Sequence, residues 1–220
     1  MKRDLVTSAI GILVLTLLLG LAYPLLVTGI GQAVFPGNAN GQQIKVHGRL
    51  IGSKIIGQSF AEPVIGKNGK PQEEEEELLT KPDPRYFQSR PSATEGGEYN
   101  ASASTFSNRG PNSKLTEEDD AQALKAYLAL NRPYDRSLSG AQVPVDAVNT
   151  SASNLDPEIS PANARIQAHR VAAVRGLPLV RVDSLIASHT SGRGLGFSGE
   201  PGVNVLELNL ALDRLEGKAS

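Results

Sequence analysis

From Leu5 to Ile44 the chain runs for 40 residues without a charged side chain, and Leu5 to Leu19 is almost wholly Leu, Ile, Val, Ala, Thr and Gly. Crossing the hydrocarbon core of a bilayer takes about 20 helical residues. A signal peptide carries an apolar region of only about 7–15 residues, and a buried helix in a soluble domain is about as short. The run is too long for either, so it predicts a retained transmembrane anchor over residues 1–35. A helix starting at Leu5 reaches the far interface near Tyr23 and Pro24, where Tyr is favoured, and Phe35 and Pro36 mark the exit. Lys2 and Arg3 precede the span while Lys45, Arg49 and Lys54 lie beyond it, so flanking charge discriminates little. We take the N-terminus as cytoplasmic, which puts the remainder outside the cytoplasm.

Beyond the anchor the chain is long enough for one ordinary domain. Residues 36–43, rich in Gly and Asn, read as a linker, and 44–220 as a single mixed domain, giving an α+β fold behind one transmembrane helix. The formal net charge of −1 offers nothing to a polyanion, so no nucleic-acid partner is expected. With no Cys, disulfides and thiolate metal sites are impossible.

Val46, Leu50, Ile51, Ile55, Ile56 and Phe60, separated by Gly, predict short strands and tight turns. The stretch 66–80 contains Glu73 to Glu77, five like charges that repel one another and predict a solvated loop. Thr116 followed by Glu117, Glu118 and Asp119 predicts a capped helix running to about Leu130. Its Ala121, Leu124 and Leu128, with Tyr127 beside them, form an apolar stripe expected to pack in the core. Ser160-Pro161 predicts a helix start and Gly176 its stop; Pro178 opens a second helix over 179–188 with Val182, Leu185 and Ile186 on one side. Residues 203–215 leave two readings open. Leu206, Leu208, Leu210 and Leu212 alternate as in a strand, while Asn204 and Glu207 fit a capping box; helix is favoured.

The search for chemistry returns little. Gly52-Ser-Lys-Ile-Ile-Gly57-Gln58-Ser59 has the glycine spacing of a phosphate loop but lacks its lysine, so Gly52 and Gly57 read as ends of short strands. His47, His169 and His189 are far apart and show no helical pairing, which gives a zinc site no support. No nucleophile elbow, aspartyl-phosphate sequence or dinucleotide loop occurs. No catalytic or metal-ligating residue is singled out, and no cofactor of the chain's own is expected.

Several segments in order do carry a resemblance: Tyr23-Pro-Leu-Leu, Phe35-Pro36, Asn40-Gly41, Gly57-Gln-Ser-Phe60, Tyr86-Phe87, Arg90-Pro-Ser-Ala93, Tyr99-Asn100, Pro144-Val-Asp146, Leu155-Asp-Pro-Glu-Ile-Ser-Pro161 and Val203 to Asp213. Together, along nearly the whole chain, they resemble the C subunit of the Kdp potassium-transporting ATPase. The resemblance implies an accessory, non-catalytic subunit in the bacterial plasma membrane that supports assembly and activity of a high-affinity potassium uptake complex. Its implied partners are a channel-like potassium-translocating subunit, a P-type catalytic subunit that hydrolyses ATP, a small single-span subunit, and the lipid bilayer. ATP, Mg and K+ then belong to the complex. The family is also described as raising the catalytic subunit's affinity for ATP, and the resemblance makes Gln167 a nucleotide contact. The topology above opposes this, because a domain outside the membrane cannot meet cytoplasmic ATP. Departures from the family pattern fall at Ser104 to Asn108, at the Glu73 to Glu77 insertion, and at Asn154, where Gly is usual and Asn tolerates the left-handed backbone. The rival reading is an independent single-span binding or sensor module; an anchored hydrolase has no signature behind it.

Overall fold

The computed structural model describes residues 2–66, 69–74, 77–78, 80–94, 98–104, 109–110 and 112–217. The chain divides into two units, 1–44 and 45–220.

The first unit is dominated by a continuous helical run, Lys2–Val34, long and apolar enough to cross a membrane, with none of its residues buried. At 33 residues it spans about 50 Å, so it runs well past the interface expected at Tyr23. Pro24 does not end it. Helix α1 (Lys2–Leu17) passes into a π turn, Leu18–Ala22, whose wider winding closes with Tyr23 N–H donating to the Leu18 carbonyl, before α2 (Tyr23–Val34) resumes. A π turn is one of the few ways a helix accepts a proline that lacks its N–H. The stretch read as a linker holds one helical turn, α3 (Pro36–Ala39), opened by a proline at its first position.

The second unit opens with a hairpin of β1 (Gln43–Val46) and β2 (Arg49–Ser53), where β1 straddles the boundary between the units. Its two-residue turn, His47 and Gly48, has positive φ at both positions, 49° and 77°, matching the twist of an antiparallel pair. β3 (Ala61–Pro63) pairs antiparallel with β6 (Thr80–Pro82). Between them the acidic stretch is not wholly loop: β4 (Glu73–Glu74) and β5 (Glu77–Leu78) pair as a minimal hairpin, with Glu75 and Glu76 outside the described residues. Residues 105–108 also lie outside them.

Helix α4 (Lys114–Asn131) begins earlier than predicted, with Ser113 at the cap position because its carbonyl accepts from Glu117 N–H; Thr116 is already inside the helix. The core lies further on. A three-stranded antiparallel sheet, ordered β7 (Glu158–Ile159), β9 (Gly202–Asn204), β8 (Thr190–Ser191), sits with α5 (Pro161–Arg175), α6 (Leu179–Ser188) and α7 (Val205–Leu215). Phe87, Ile159, Ala168, Val171, Val182, Ile186, Val203, Leu208 and Leu212 form its apolar centre. This is an α+β domain behind an apolar helix.

The ambiguous segment resolves as the favoured helix: Leu206, Leu208, Leu210 and Leu212 all lie in α7, and only Val203 and Asn204 belong to the short strand β9 before it. Asn204 accepts from Glu207 N–H at 3.0 Å, but Glu207 does not return the bond; its carboxylate pairs with Lys54 at 2.5 Å. The helices at Ser160 and Pro178 form as predicted. Ala121, Leu124 and Leu128 do not join the core: Ala121 is exposed and the two leucines half-buried.

Candidate functional site

Gln167 lies on α5, and α5 is firmly anchored at both ends. Ser160 Oγ accepts from Asn163 N–H, Pro161 occupies the first turn, and Gly176 stops the helix at φ 66°. Asp146 locks the start, accepting from Ser160 N–H and Oγ, both at 2.8 Å, and from Asn163 Nδ2 at 3.0 Å. A carboxylate at a helix N-terminus also favours the dipole there.

From this start a buried polar ridge runs up α5 at helical spacing: Asn163, Gln167 and Arg170, all about 1% exposed or less. Asn163 Oδ1 accepts from the Tyr127 hydroxyl at 2.8 Å and from Gln167 Nε2 at 2.9 Å. Gln167 Nε2 also donates to the Gln88 carbonyl at 3.0 Å, and its Oε1 accepts from Gln88 N–H at 2.7 Å and from Arg170 Nη2 at 2.8 Å. An amide side chain has two donors and two acceptor lone pairs, and here all four are used inside the domain.

Across the same segment, Asn209 on α7 repeats the motif one residue earlier. Its Oδ1 accepts from Phe87 N–H and its Nδ2 donates to the Phe87 carbonyl, each at 2.9 Å. The chain from Asp83 to Arg90 therefore passes through the interior without belonging to a sheet. Two side-chain amides supply the pairing that neighbouring strands would otherwise give, answering the demand that buried backbone groups be bonded.

Arg170 completes the clamp. Its guanidinium is fully buried and, among the described residues, forms no ion pair; it donates to the carbonyls of Pro84 (2.6 Å) and Tyr86 (2.9 Å), Asn131 Oδ1 (3.0 Å) and Gln167 Oε1. Burial pushes its pKa down to about 10, partly opposed by Tyr127, Tyr134 and Asp83, so it stays cationic at neutral pH. At the rim, Arg175 lies 4.6 Å over the Tyr86 ring, bonds the Arg85 carbonyl, and pairs with Asp213 and Glu216, both at 3.0 Å. Burial pushes the Asp83 carboxyl up, but bonds from the Arg85 guanidinium and backbone N–H outweigh it and hold the group below its ordinary value.

Beside the clamp is a cavity of about 270 Å³ whose lining includes Ser59, Ser89, Arg90, Tyr99 and Tyr127. Their hydroxyls are committed: Ser59 to Glu98, Ser89 to the Gln58 carbonyl, Tyr99 to the Arg90 carbonyl, Tyr127 to Asn163. Burial pushes both tyrosines up, away from any role as a base at neutral pH. Arg90 Nε is the one buried side-chain donor left without a partner among the described residues.

The phosphate-loop-like stretch is closed by packing. A side chain at Gly52 would collide with the Gln58 amide and with Leu206, 2.8 Å away, and one at Gly57 with the Tyr99 ring and the Asp156 carbonyl, also 2.8 Å away. Gln58 turns back to donate to the Ile51 carbonyl at 2.5 Å. Close approach, with no room for an anion, is what requires glycine at both positions. His47 and His169 are exposed and separate, while His189 Nδ1 lies against the Leu185 carbonyl and Ser188 Oγ. Among the described residues no group of three or more His, Asp or Glu could hold a metal.

Asn163, Arg170 and Asn209 escape the reading from sequence. The available signal was the spacing of three polar residues, 163, 167 and 170, on one face of a helix that also carries Ala164, Ala168 and Val171.

The profile of the family described as "KdpC: K+-transporting ATPase, c chain" matches residues 5–214. A Koribacter versatilis protein described as "Potassium-transporting ATPase KdpC subunit" is 45% identical over 216 residues, covering 97% of this chain and 95% of its own. Proteins of the same description from Methylococcus capsulatus and Mycobacterium bovis are 46% identical (93% of this chain, 94% of theirs) and 43% identical (98% and 100%). At that identity and coverage, the chain belongs to the KdpC family, the c chain of K+-transporting ATPases.

Proposed function

We propose that the chain is the non-catalytic accessory subunit of a potassium-transporting ATPase, with hydrolysis of ATP residing in a P-type partner subunit. The observation that carries this is a 33-residue apolar helix with none of its residues buried, attached to a domain in which Arg90 Nε is the one buried side-chain polar atom without a partner among the described residues. Such a helix needs lipid or other helices around it. Its glycines at 11 and 29 have open space where a side chain would sit, which suits close approach by a neighbouring helix.

The helix spans the bacterial plasma membrane with its N-terminus in the cytoplasm, and the domain from about residue 45 lies outside. There it caps the entrance of a channel-like potassium-translocating subunit, alongside a small single-span subunit. ATP, Mg and K+ belong to the complex. Gln167 acts as an internal brace, since its four hydrogen-bonding positions are already occupied and no phosphate cradle lies nearby. Any influence on ATP affinity then passes through contacts between subunits.

The test is affinity purification of the full chain from gently solubilised membranes, with potassium-stimulated ATPase activity measured on the product and a C-terminal reporter fusion to fix the topology. Co-purifying ATPase and an external C-terminus are expected. Recovery of the chain alone would favour an independent binding or sensor module, and a cytoplasmic C-terminus would reverse the topology.

A further inference from the structure

One face of α4 is left uncovered by the described residues of the domain. Leu124 and Leu128, with Pro133 just past the helix, floor an open groove of about 830 Å³. Lys125, Arg132 and Arg136 stand on its border, all exposed. Among the described residues none of these cations forms an ion pair or a side-chain hydrogen bond, although Lys54, Lys81, Arg85, Arg109, Arg175 and Arg193 all do. None of the described acids on or beside α4 pairs with them, and Asp120 lies five residues before Lys125 on the helix. Asp135 is held by Ser137 N–H and Oγ, Asp119 pairs with Arg109, and Glu117 and Glu118 belong to the opposite end of the helix.

We propose that this groove docks an acidic segment of another chain of the ATPase, one that seats an apolar side chain between Leu124 and Leu128 and sets carboxylates against the three cations. The inference rests on the reading of the chain as a subunit of that complex. An apolar floor with a uniformly basic border, on a chain whose overall formal charge is −1, specifies the sign of its occupant locally. Apolar anchor residues within a charged rim are the usual build of a protein interface. Both leucines are half-buried and Leu124 lies beside Gly140, so the domain itself fixes part of the groove floor.

The test places a benzophenone photocrosslinking residue at Ala129, exposed on the groove, in the full chain purified with its complex, and at Val180, 75% exposed on α6, as the control. The expected result is an adduct from position 129, and not from 180, with an ATPase chain at a peptide rich in Asp or Glu. The variant K125Q/R132Q/R136Q should weaken that adduct by about tenfold, as loss of three exposed charge pairs predicts, while co-purification through the membrane helix persists. Co-purification without an adduct, an adduct to lipid, one to a peptide lacking carboxylates, or one indifferent to the triple variant overturns the docking inference alone. Loss of co-purification by the unmodified chain overturns the subunit reading and the inference with it.

Discussion

Helices α4 and α5 invert the usual relation between pattern and burial. α4 carries the recognisable apolar stripe, yet that stripe borders an open groove and the one buried residue of the helix is Asn131. α5 is poor in large apolar residues, yet seven of its 15 residues are buried, Asn163, Gln167 and Arg170 among them. Burial here depends on the availability of hydrogen-bonding partners as much as on hydrophobicity. The segment from Asp83 to Arg90 needs donors and acceptors, and α5 and α7 bring them. A polar group fully bonded in the interior costs little, while the same group left unbonded costs its desolvation.

The largest effect should come from removing the centre of the clamp. Arg170→Ala leaves the Pro84 carbonyl and Asn131 Oδ1 without their donor, removes one of two donors from the Tyr86 carbonyl and Gln167 Oε1, and opens a cavity, and should destabilise the domain by about 4 kcal/mol in chemical denaturation. A loss under about 1 kcal/mol would mean that α5 is packed by its alanines and valine alone. Gln167→Ala should cost about 2–3 kcal/mol by stranding Gln88 and an Arg170 donor, and leave the ATP dependence of the purified complex unchanged. A several-fold rise in the ATP KM at unaltered stability would restore the nucleotide-contact reading. Asn209→Ala should cost about 2 kcal/mol, and combined with Gln167→Ala it should depart from additivity by more than about 0.5 kcal/mol, because both amides hold one segment.

On α4 the expectation reverses. Leu128→Gln should cost the isolated chain less than about 1 kcal/mol, far below what a core leucine would, and a larger loss would return the stripe to the core. The smallest effect concerns pH. Asp83 has a folded pKa below its ordinary value of about 3.9, so its contribution is present above that value and is lost as pH falls through the lower, folded one. In Asp83→Asn the acid limb of the stability curve should flatten below about pH 4, with the neutral region changing less in slope.

Much of the fold was legible because it rests on local physics. Hydrocarbon length announced the apolar helix, Ser160-Pro161 and Gly176 bounded α5, and Asn204 caps the helix favoured for the alternating leucines 206, 208, 210 and 212. Asn154 does take the left-handed backbone anticipated for it, at φ 58°. The features that stayed hidden depended on distant partners. Glu207 answers Lys54 and not its own cap; Gly52 and Gly57 are required by Gln58, Leu206 and Tyr99 and not by phosphate; Pro24 is absorbed by a π turn. Gln167 was visible only through resemblance. Its saturation depends on Gln88, Asn163 and Arg170 arriving together, which no spacing along α5 reveals by itself.

The amide clamp also sets an order of events during synthesis. Its bonds join residues 79 and 122 positions apart, so Asn209 leaves the ribosome 122 residues after Phe87 and long after the apolar helix. Contacts so remote along the chain form slowly. The stretch around Phe87 therefore stays without these partners until α7 has been made, so a stall or truncation before α7 leaves the domain with an open interior, a ready substrate for quality-control proteases.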